Sequence, residues 1–184
     1  MTNSPILLAV PNVSEGHDHG VLESVERAFA PAHFLDIHVD ADHGRAVFTL
    51  AGEQGELSEA LLAGAREVVK RVDLNLQNGL HPHVGALDVM PVVYLDDARR
   101  GAACAEVLAA AALIGDELEL PVILYGELAT RPEHAERAWL RLGALGVERV
   151  MLGMFGVPPR VTLAGQDESC GCRHAGHRVG PANG

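Results

Sequence analysis

Apolar and polar positions follow two spacings in the first third of the chain, one typical of strands and one of helices. The apolar run Ile6–Val10 predicts a buried strand because it is short and ends at a proline. Asp18 is placed to cap a helix whose apolar side chains recur at helical spacing, and Pro31 ends that helix. Phe34–Val39 and the alternating segment Arg45–Ala51 flank an acidic turn, so together they predict a β-hairpin.

Between the first strand and the first helix, the polar segment Asn12–Gly16 predicts a turn. After the hairpin, Leu57, Leu61 and Val68 share one face of a predicted long helix. The remaining predicted elements are a strand at about Asp88–Leu95, a helix at about Asp97–Leu118, a strand at Pro121–Tyr125, a helix begun by a capping box of Thr130 and Glu133, and a last strand within Arg149–Phe155.

The predicted elements follow the order β-α-β-β-α-β, with a further α-β-α segment and a last strand. This order predicts an α+β fold, namely a ferredoxin-like sandwich with helices on one face of the sheet and a C-terminal α/β extension. Residues 1–156 form the predicted domain. Glycine, proline, arginine and histidine dominate residues 157–184, so we expect an irregular tail there.

Length and composition fit one globular domain. Of 184 residues, 48% are hydrophobic, and a chain of this length buries about 70% of its surface on folding. Lys and Arg number 14 against 25 Asp and Glu, and the net charge of −11 argues against a nucleic-acid partner. We also expect a cytoplasmic protein without a membrane partner, because no apolar run has the length of a membrane span, no secretory signal is recognisable and the 3 cysteines make no disulfide framework.

Candidate chemistry is concentrated in the segment His81–Asp88, which reads HPHVGALD. Pro82 fixes its own φ and disfavours the helical region for His81, so that imidazole is expected on a constrained loop just before a strand. Gly85 allows the backbone to bend or to approach a ligand closely. An imidazole in such a loop is suited to acid–base work near neutral pH. The alternative is a loop whose histidines only cap or pack.

Four segments in the same order resemble the glutamate formiminotransferase family, in particular its N-terminal subdomain. Pro11–Gly16 looks like the family's PN(F/V)SEG turn, and Asp40–Thr49 is similar to its acidic turn and following strand. His81–Pro91 looks like HPRxGALDVxPF, and Leu124–Glu127 matches the start of LYGEAA. The resemblance covers roughly residues 5–145.

The resemblance implies a transferase that moves a formimino group from N-formimino-L-glutamate to N5 of tetrahydrofolate, in histidine breakdown. It implies tetrahydrofolate as a co-substrate, no metal, and two related α/β subdomains that hold the substrates between their sheets and dimerise. The family's catalytic base is the histidine of the HP motif, which is His81 in this chain. A neutral imidazole suits that role because the folate nitrogen must lose a proton as it attacks.

The resemblance also suggests residues that bind substrate or folate. Arg45 is a candidate clamp for a carboxylate, and the alternative is a surface salt bridge. Asp88 is a candidate for orienting the base, and the alternative is a turn or cap residue. Asn12 and Glu127 lie at predicted strand ends, where ligands tend to bind. The full predicted binding set is Asn12, Asp40, Arg45, His83, Gly85, Asp88 and Glu127.

The chain departs from the family pattern at several places. Gly44 stands where the family often has asparagine, and His83 replaces a common arginine. The family's second subdomain is not matched. We therefore expect either a homodimer, in which another copy covers the apolar sheet face, or a separate chain that supplies the second subdomain.

Two other classes of protein remain open from the sequence. One is a non-catalytic module that binds folate or an amino acid. The other is a metal-dependent hydrolase, because imidazoles and carboxylates suit a divalent metal. Its candidate ligands are His17, His19, Asp40, Asp42, His43, His81 and His83. In the tail, Cys170, Cys172, His174 and His177 are ligand types that suit zinc, but their spacing differs from paired zinc knuckles and favours an unstructured segment.

Overall fold

The computed structural model describes residues 4–76, 79–80 and 85–129, together with the backbone of residues 150–156. In chain order these residues form β1 (Ile6–Ala9), β2 (Asn12–Val13), α1 (His19–Ala28), β3 (His33–Asp40), β4 (Arg45–Glu53), α2 (Glu56–Arg71), β5 (Leu87–Tyr94), α3 (Arg100–Leu118), β6 (Val122–Gly126) and β7 (Val150–Gly156). Short 3-10 turns lie at Leu74–Leu76, before β5, and at Asp97–Arg99, where the predicted start of α3 had been placed.

The seven strands form one sheet. Its spatial order is β3, β4, then β1 and β2 end to end, then β5, β7 and β6. Neighbours from β3 to β5 are antiparallel, whereas β5, β7 and β6 run parallel to one another. With helices and a largely antiparallel sheet, the chain is α+β, as the order of its elements predicts.

The first strand is longer than its apolar run indicates. Asn12 and Val13 were predicted to belong to a turn, but they pair with both β4 and β5. Ala9 lies opposite Leu50 and Asn12 lies opposite Val47, so β1 and β2 keep one register against β4. The turn prediction was wrong for Asn12 because an asparagine that reads as a turn residue by propensity is held in the sheet by ladders on both sides.

The helices pack side by side, because α2 contacts both α1 and α3. Asp18 caps α1 as predicted, accepting a hydrogen bond of 3.0 Å from the backbone N–H of Val21. Buried and half-buried residues alternate along β4, with Phe48 in the core. The ring of Phe48 lies 5.4 Å from that of Phe29 at the end of α1, so the hairpin and the first helix share one apolar core.

Helix α2 begins without a cap from its own sequence neighbours, because the N-cap residue is Gly55. The cap comes instead from α3. The buried carboxylate of Glu106 accepts hydrogen bonds from the backbone N–H of Gly55 at 2.7 Å and of Ser58 at 2.5 Å. A negative charge beside a helix N-terminus is favourable, so Glu106 fixes α2 and α3 against each other.

Strand β5 contains a β-bulge at its start. Asn12 lies opposite Val89, whereas the next residue, Val13, lies opposite Leu87. Asp88 is therefore the extra residue. The first four residues of β5 are all buried, and buried and half-buried residues alternate from Met90 onward.

The last predicted strand is confirmed as β7. Several other predictions fall on residues without a described structure. The helix predicted to begin at Thr130, the boundary at residue 157 and the zinc candidates of the tail lie outside the described residues. Within the described part of the chain, no helix combines the length and the apolar character needed to cross a bilayer.

Candidate functional site

One edge of the sheet collects most of the predicted site residues. Because β2 runs antiparallel to β4 and β5, its last residue Val13 lies opposite Ala46 on one side and Leu87 on the other. The hairpin register places Asp40 opposite Arg45 at the same edge. The topology therefore brings together five residues of the predicted binding set, namely Asn12, Asp40, Arg45, Gly85 and Asp88.

A buried ion pair lies at the centre of this edge. The guanidinium of Arg45 lies 2.5 Å from the carboxylate of Asp88, and the two side chains are 9% and 0% exposed. The salt bridge considered for Arg45 therefore exists, but it is in the interior rather than on the surface. Asp88 is neither a turn nor a cap residue, because it is the bulged residue of β5. A bulge beside a site commonly serves to direct one side chain, which here reaches Arg45.

Ser14 joins β2 to the start of β5, although it was not among the predicted site residues. The side chain is fully buried. Its hydroxyl donates to the backbone carbonyl of Gly85 at 2.8 Å, and its backbone N–H donates to the carbonyl of Ala86 at 2.8 Å. A serine in a polar segment is typical of a turn, so its propensity does not indicate a buried contact. Its place in the PNVSEG segment was the one feature that set Ser14 apart.

The turn between β3 and β4 forms one wall of the site. The Asp40 carboxylate accepts a 3.0 Å bond from the backbone N–H of His43, and its other oxygen lies 2.7 Å from the imidazole Nδ1. The hydrogen bond from the His43 backbone is the main cause that lowers the pKa of Asp40. Gly44 has a φ of 64°, a left-handed conformation that favours glycine and asparagine. A glycine at this position therefore suits the turn.

The turn that follows β2 packs tightly against that wall. A Cβ placed on Gly16 would lie 2.5 Å from the carbonyl oxygen of Asp40 and 2.6 Å from the backbone nitrogen of Arg45. The turn is closed by Glu15, whose carboxylate accepts hydrogen bonds from the backbone N–H of the next three residues. The segment Ser14–Gly16 therefore contacts the hairpin on one side and the start of β5 on the other.

Glu127 lies elsewhere in the sheet. It follows β6, and β6 runs parallel to β5, so it lies near the end of β5 rather than near its start. Its carboxylate accepts a 2.8 Å bond from the Tyr94 hydroxyl and a 2.7 Å bond from Arg100. Asp88 and Tyr94 are six residues apart in one strand, roughly 20 Å. The structure therefore does not bring Glu127 together with Arg45 and Asp88.

The hydrogen bond from Arg100 is the main cause that lowers the pKa of Glu127. The bond to the Glu127 carboxylate in turn raises the pKa of Tyr94. A carboxylate held by two donors is already partnered, so these contacts tie the end of β6 to β5 and to the start of α3.

The predicted base and its neighbour, His81 and His83, lie outside the described residues. The chain is described again just before them, where the backbone N–H of Leu80 donates to the carbonyl of Asp42 at 3.0 Å. Among the described residues, no group of three His, Cys, Asp or Glu side chains is arranged to hold a metal ion. The described part of the proposed hydrolase ligand set, His17 to His43, thus forms no cluster by itself.

The chain is thus an α+β domain with a buried ion pair at one end of its sheet, surrounded by the β3–β4 turn, the turn after β2 and the start of β5. The chain matches the formiminotransferase domain, N-terminal subdomain, over residues 6–152, and it belongs to that family. It is 33% identical over 135 residues to glutamate formimidoyltransferase of Thermoplasma acidophilum, covering 72% of this chain and 45% of that protein. It is 34% identical over 142 residues to glutamate formimidoyltransferase of Streptococcus pyogenes serotype M1, covering 75% of this chain and 47% of that protein.

Formimidoyltransferase-cyclodeaminase of Mus musculus is 32% identical to the chain over 147 residues, which cover 76% of this chain and 26% of that protein. The chain therefore spans about half the length of the first two relatives and about a quarter of the mouse protein.

Proposed function

We propose that the chain is the N-terminal half of a formimidoyltransferase, which moves the formimino group of N-formimino-L-glutamate to N5 of tetrahydrofolate. Family membership supports the class of reaction. The observation that carries the proposal is the gathering of Asn12, Asp40, Arg45, Gly85 and Asp88 at one sheet edge, since three separate motif segments supply these residues.

In the proposed reaction, His81 is the base. The attacking N5 of the folate carries a proton that must leave as the new C–N bond forms, and a neutral imidazole accepts it. The breaking C–N bond releases the glutamate amine, which must gain a proton, and the imidazolium formed in the first step can return it. The reaction thus balances in protons without a redox partner.

The buried pair of Arg45 and Asp88 changes the role expected for Arg45. Its guanidinium is paired with Asp88, and Arg45 is only 8% exposed. We therefore propose that the pair holds the β3–β4 turn against the start of β5 and that Arg45 does not bind a substrate carboxylate directly. His83, Asn12, the Asp40 carboxylate and the backbone at Gly85 are then the groups proposed to meet substrate or folate.

We further propose that the site is completed by a second subdomain and that the protein acts in the cytoplasm. The strand order β3, β4, β1 and β2, β5, with antiparallel neighbours, supports a ferredoxin-like assignment for the first part of the fold.

A calorimetric titration of the chain with tetrahydrofolate and, separately, with N-formimino-L-glutamate tests the proposal. We expect binding of at least one of them, and formimino transfer once a second subdomain from a relative is added. Asp88→Asn should weaken binding, whereas the exposed Glu117→Gln should not. Binding without transfer, in the presence of the second subdomain, would favour a non-catalytic binding module. If neither compound binds and no transfer occurs in the presence of the second subdomain, the proposal is overturned.

A further inference from the structure

Ser14 is a buried polar side chain for which the proposed chemistry has no direct use. It is 0% exposed, and its hydroxyl and backbone N–H bind two consecutive carbonyls, those of Gly85 and Ala86. Both carbonyls lie just before β5 begins at Leu87. A buried hydroxyl without a partner is costly, so this contact specifies where the backbone at Gly85 must lie.

The contact of Ser14 lies between the two structures that border the site. The next residue after Ala86 and Leu87 is Asp88, which pairs with Arg45 across the sheet. On its other side, the Ser14–Gly16 turn contacts the backbone of Asp40 and Arg45 through Gly16. One short turn thus sets the distance between the two walls of the site, the β3–β4 turn and the start of β5.

We propose that Ser14 is a positioning residue for this site: its hydroxyl fixes the backbone at Gly85 and thereby the placement of the groups that meet the ligand. The proposal rests on the proposed function for its effect on turnover. Its effect on the backbone at Gly85 and Ala86 is independent of that function. In this proposal Ser14 acts through the backbone at Gly85, so its removal should lower the rate of transfer and loosen the local backbone without changing the reaction.

The test compares Ser14→Ala with a matched control, Ser58→Ala. Ser58 is also a buried serine whose hydroxyl contacts a backbone carbonyl, that of Gly55 at 3.4 Å, but it lies in α2. Amide hydrogen exchange of the peptide covering residues 85–90 is measured in the full chain by mass spectrometry. We expect exchange there to become roughly tenfold faster in Ser14→Ala and to stay unchanged in Ser58→Ala, since one local hydrogen bond is lost. Melting curves establish that both variants are folded.

Turnover in the presence of an added second subdomain is measured in parallel. We expect Ser14→Ala to lower kcat by up to about 100-fold with little change in KM, because small misplacements of reacting groups have effects of that size. Ser14→Thr, which retains a hydroxyl, should restore part of the rate if its melting curve remains cooperative.

Unchanged exchange at residues 85–90 in Ser14→Ala would overturn the positioning role. Faster exchange with wild-type turnover would overturn its functional part. If the wild-type chain shows no transfer at all, faster exchange in Ser14→Ala still supports the positioning role, and the failure then belongs to the proposed transferase activity alone.

Discussion

The carboxylate of Asp88 lies 2.5 Å from the guanidinium of Arg45, and neither side chain has more than slight contact with water. A buried ion pair contributes little net stability over apolar residues of similar size, but loss of one partner leaves an uncompensated charge. The pair therefore holds the hairpin against the bulge of β5 mainly because any arrangement that separates the two charges is costly.

Asp88→Asn is expected to lower the free energy of unfolding by about 3–5 kcal/mol, because the Arg45 charge stays buried beside a neutral partner. Adding Arg45→Met to Asp88→Asn should lower it by less than the sum of the two single changes. Urea unfolding of the two single variants and the double variant measures this coupling. The control is the exposed pair of Arg66 and Glu117, which has the same 2.5 Å separation and should contribute less than about 1 kcal/mol. Additive effects at Arg45 and Asp88 would contradict the pairing.

Gly44 is expected to tolerate asparagine far better than alanine. At a φ of 64°, Gly44→Ala should lower the free energy of unfolding by about 1–2 kcal/mol, because a Cβ in the left-handed region crowds the next carbonyl. Gly44→Asn should be affected much less, since asparagine is enriched in that region. Gly101→Ala in α3 is the control. A Cβ there meets no atom within 4 Å, so alanine should stabilise by roughly 0.5–1 kcal/mol. Equal losses for Gly44→Ala and Gly44→Asn would count against the left-handed turn.

Removal of the Glu106 carboxylate should loosen the packing of α2 on α3. Glu106→Ala leaves the backbone N–H of Gly55 and the buried backbone N–H of Ser58 without their acceptor, so we expect a loss of about 1–3 kcal/mol in the free energy of unfolding. Glu106→Gln should lose less, because its amide oxygen can still accept one of the two bonds. The control is Glu117→Gln, since that carboxylate is half exposed. A Glu106→Ala variant as stable as wild type would show that the cap is dispensable.

The stabilisation that Arg100 provides should depend on pH. Arg100 lowers the pKa of Glu127 below its ordinary value of 4.5. A carboxyl whose folded-state pKa is depressed contributes stability that is present above that ordinary value and is lost as the pH falls through the folded-state pKa. We therefore expect Arg100→Met to lower the Tm at pH 7 and the difference from wild type to shrink steadily below pH 4.5.

Arg27→Met corrects the Arg100 measurement for the change in net charge. Arg27 lies on the exposed face of α1 and is 69% exposed. If the Tm difference for Arg100→Met is the same at pH 7 and at low pH after this correction, Glu127 does not depend on Arg100 for its charge.

If the proposed function holds, loss of His81 should lower turnover, whereas loss of His83 should mainly weaken substrate binding. We expect His81→Ala to lower turnover by roughly 10²–10⁴ with an unchanged melting curve, the usual effect of losing a positioned base. His83→Ala should mainly raise KM. Both variants are assayed with the second subdomain added, and His33→Ala, in the far end of β3, is the control. Near-full activity of His81→Ala together with an inactive His83→Ala would reverse the assignment of roles.

Local signals predicted the elements whose cause is local. The cap at Asp18 and the alternation around Phe48 depend on neighbours within a few residues, and both are confirmed. The predicted site could be assembled only in outline, because register decides which strand ends meet. Glu127 illustrates this: a strand end was predicted correctly, but the parallel pairing of β6 takes it away from Asp88.

Contacts between residues distant in sequence could not be predicted either, because they too depend on how the elements pair and pack. Glu106 reads as an ordinary acidic residue on a helix, yet it caps a different helix. Asp88 reads as a turn residue, because a single polar residue before an apolar run gives no sign of a bulge. In both cases the partner is distant in sequence, so no periodicity or propensity within one segment could indicate it.

The bulge in β5 makes the length of this strand as important as its composition. With Asp88 as a surplus residue, Met90 and Val92 are buried in the core, whereas Pro91 and Val93 are only half-buried. Deleting any single residue between Leu87 and Val89 would restore a regular ladder against β2 at the cost of the Arg45 contact, or would shift every later side chain to the opposite face. Substitutions along β5 are therefore graded in effect, whereas insertions and deletions of one residue at its start are all-or-none, and natural variation in this stretch should be confined to replacement.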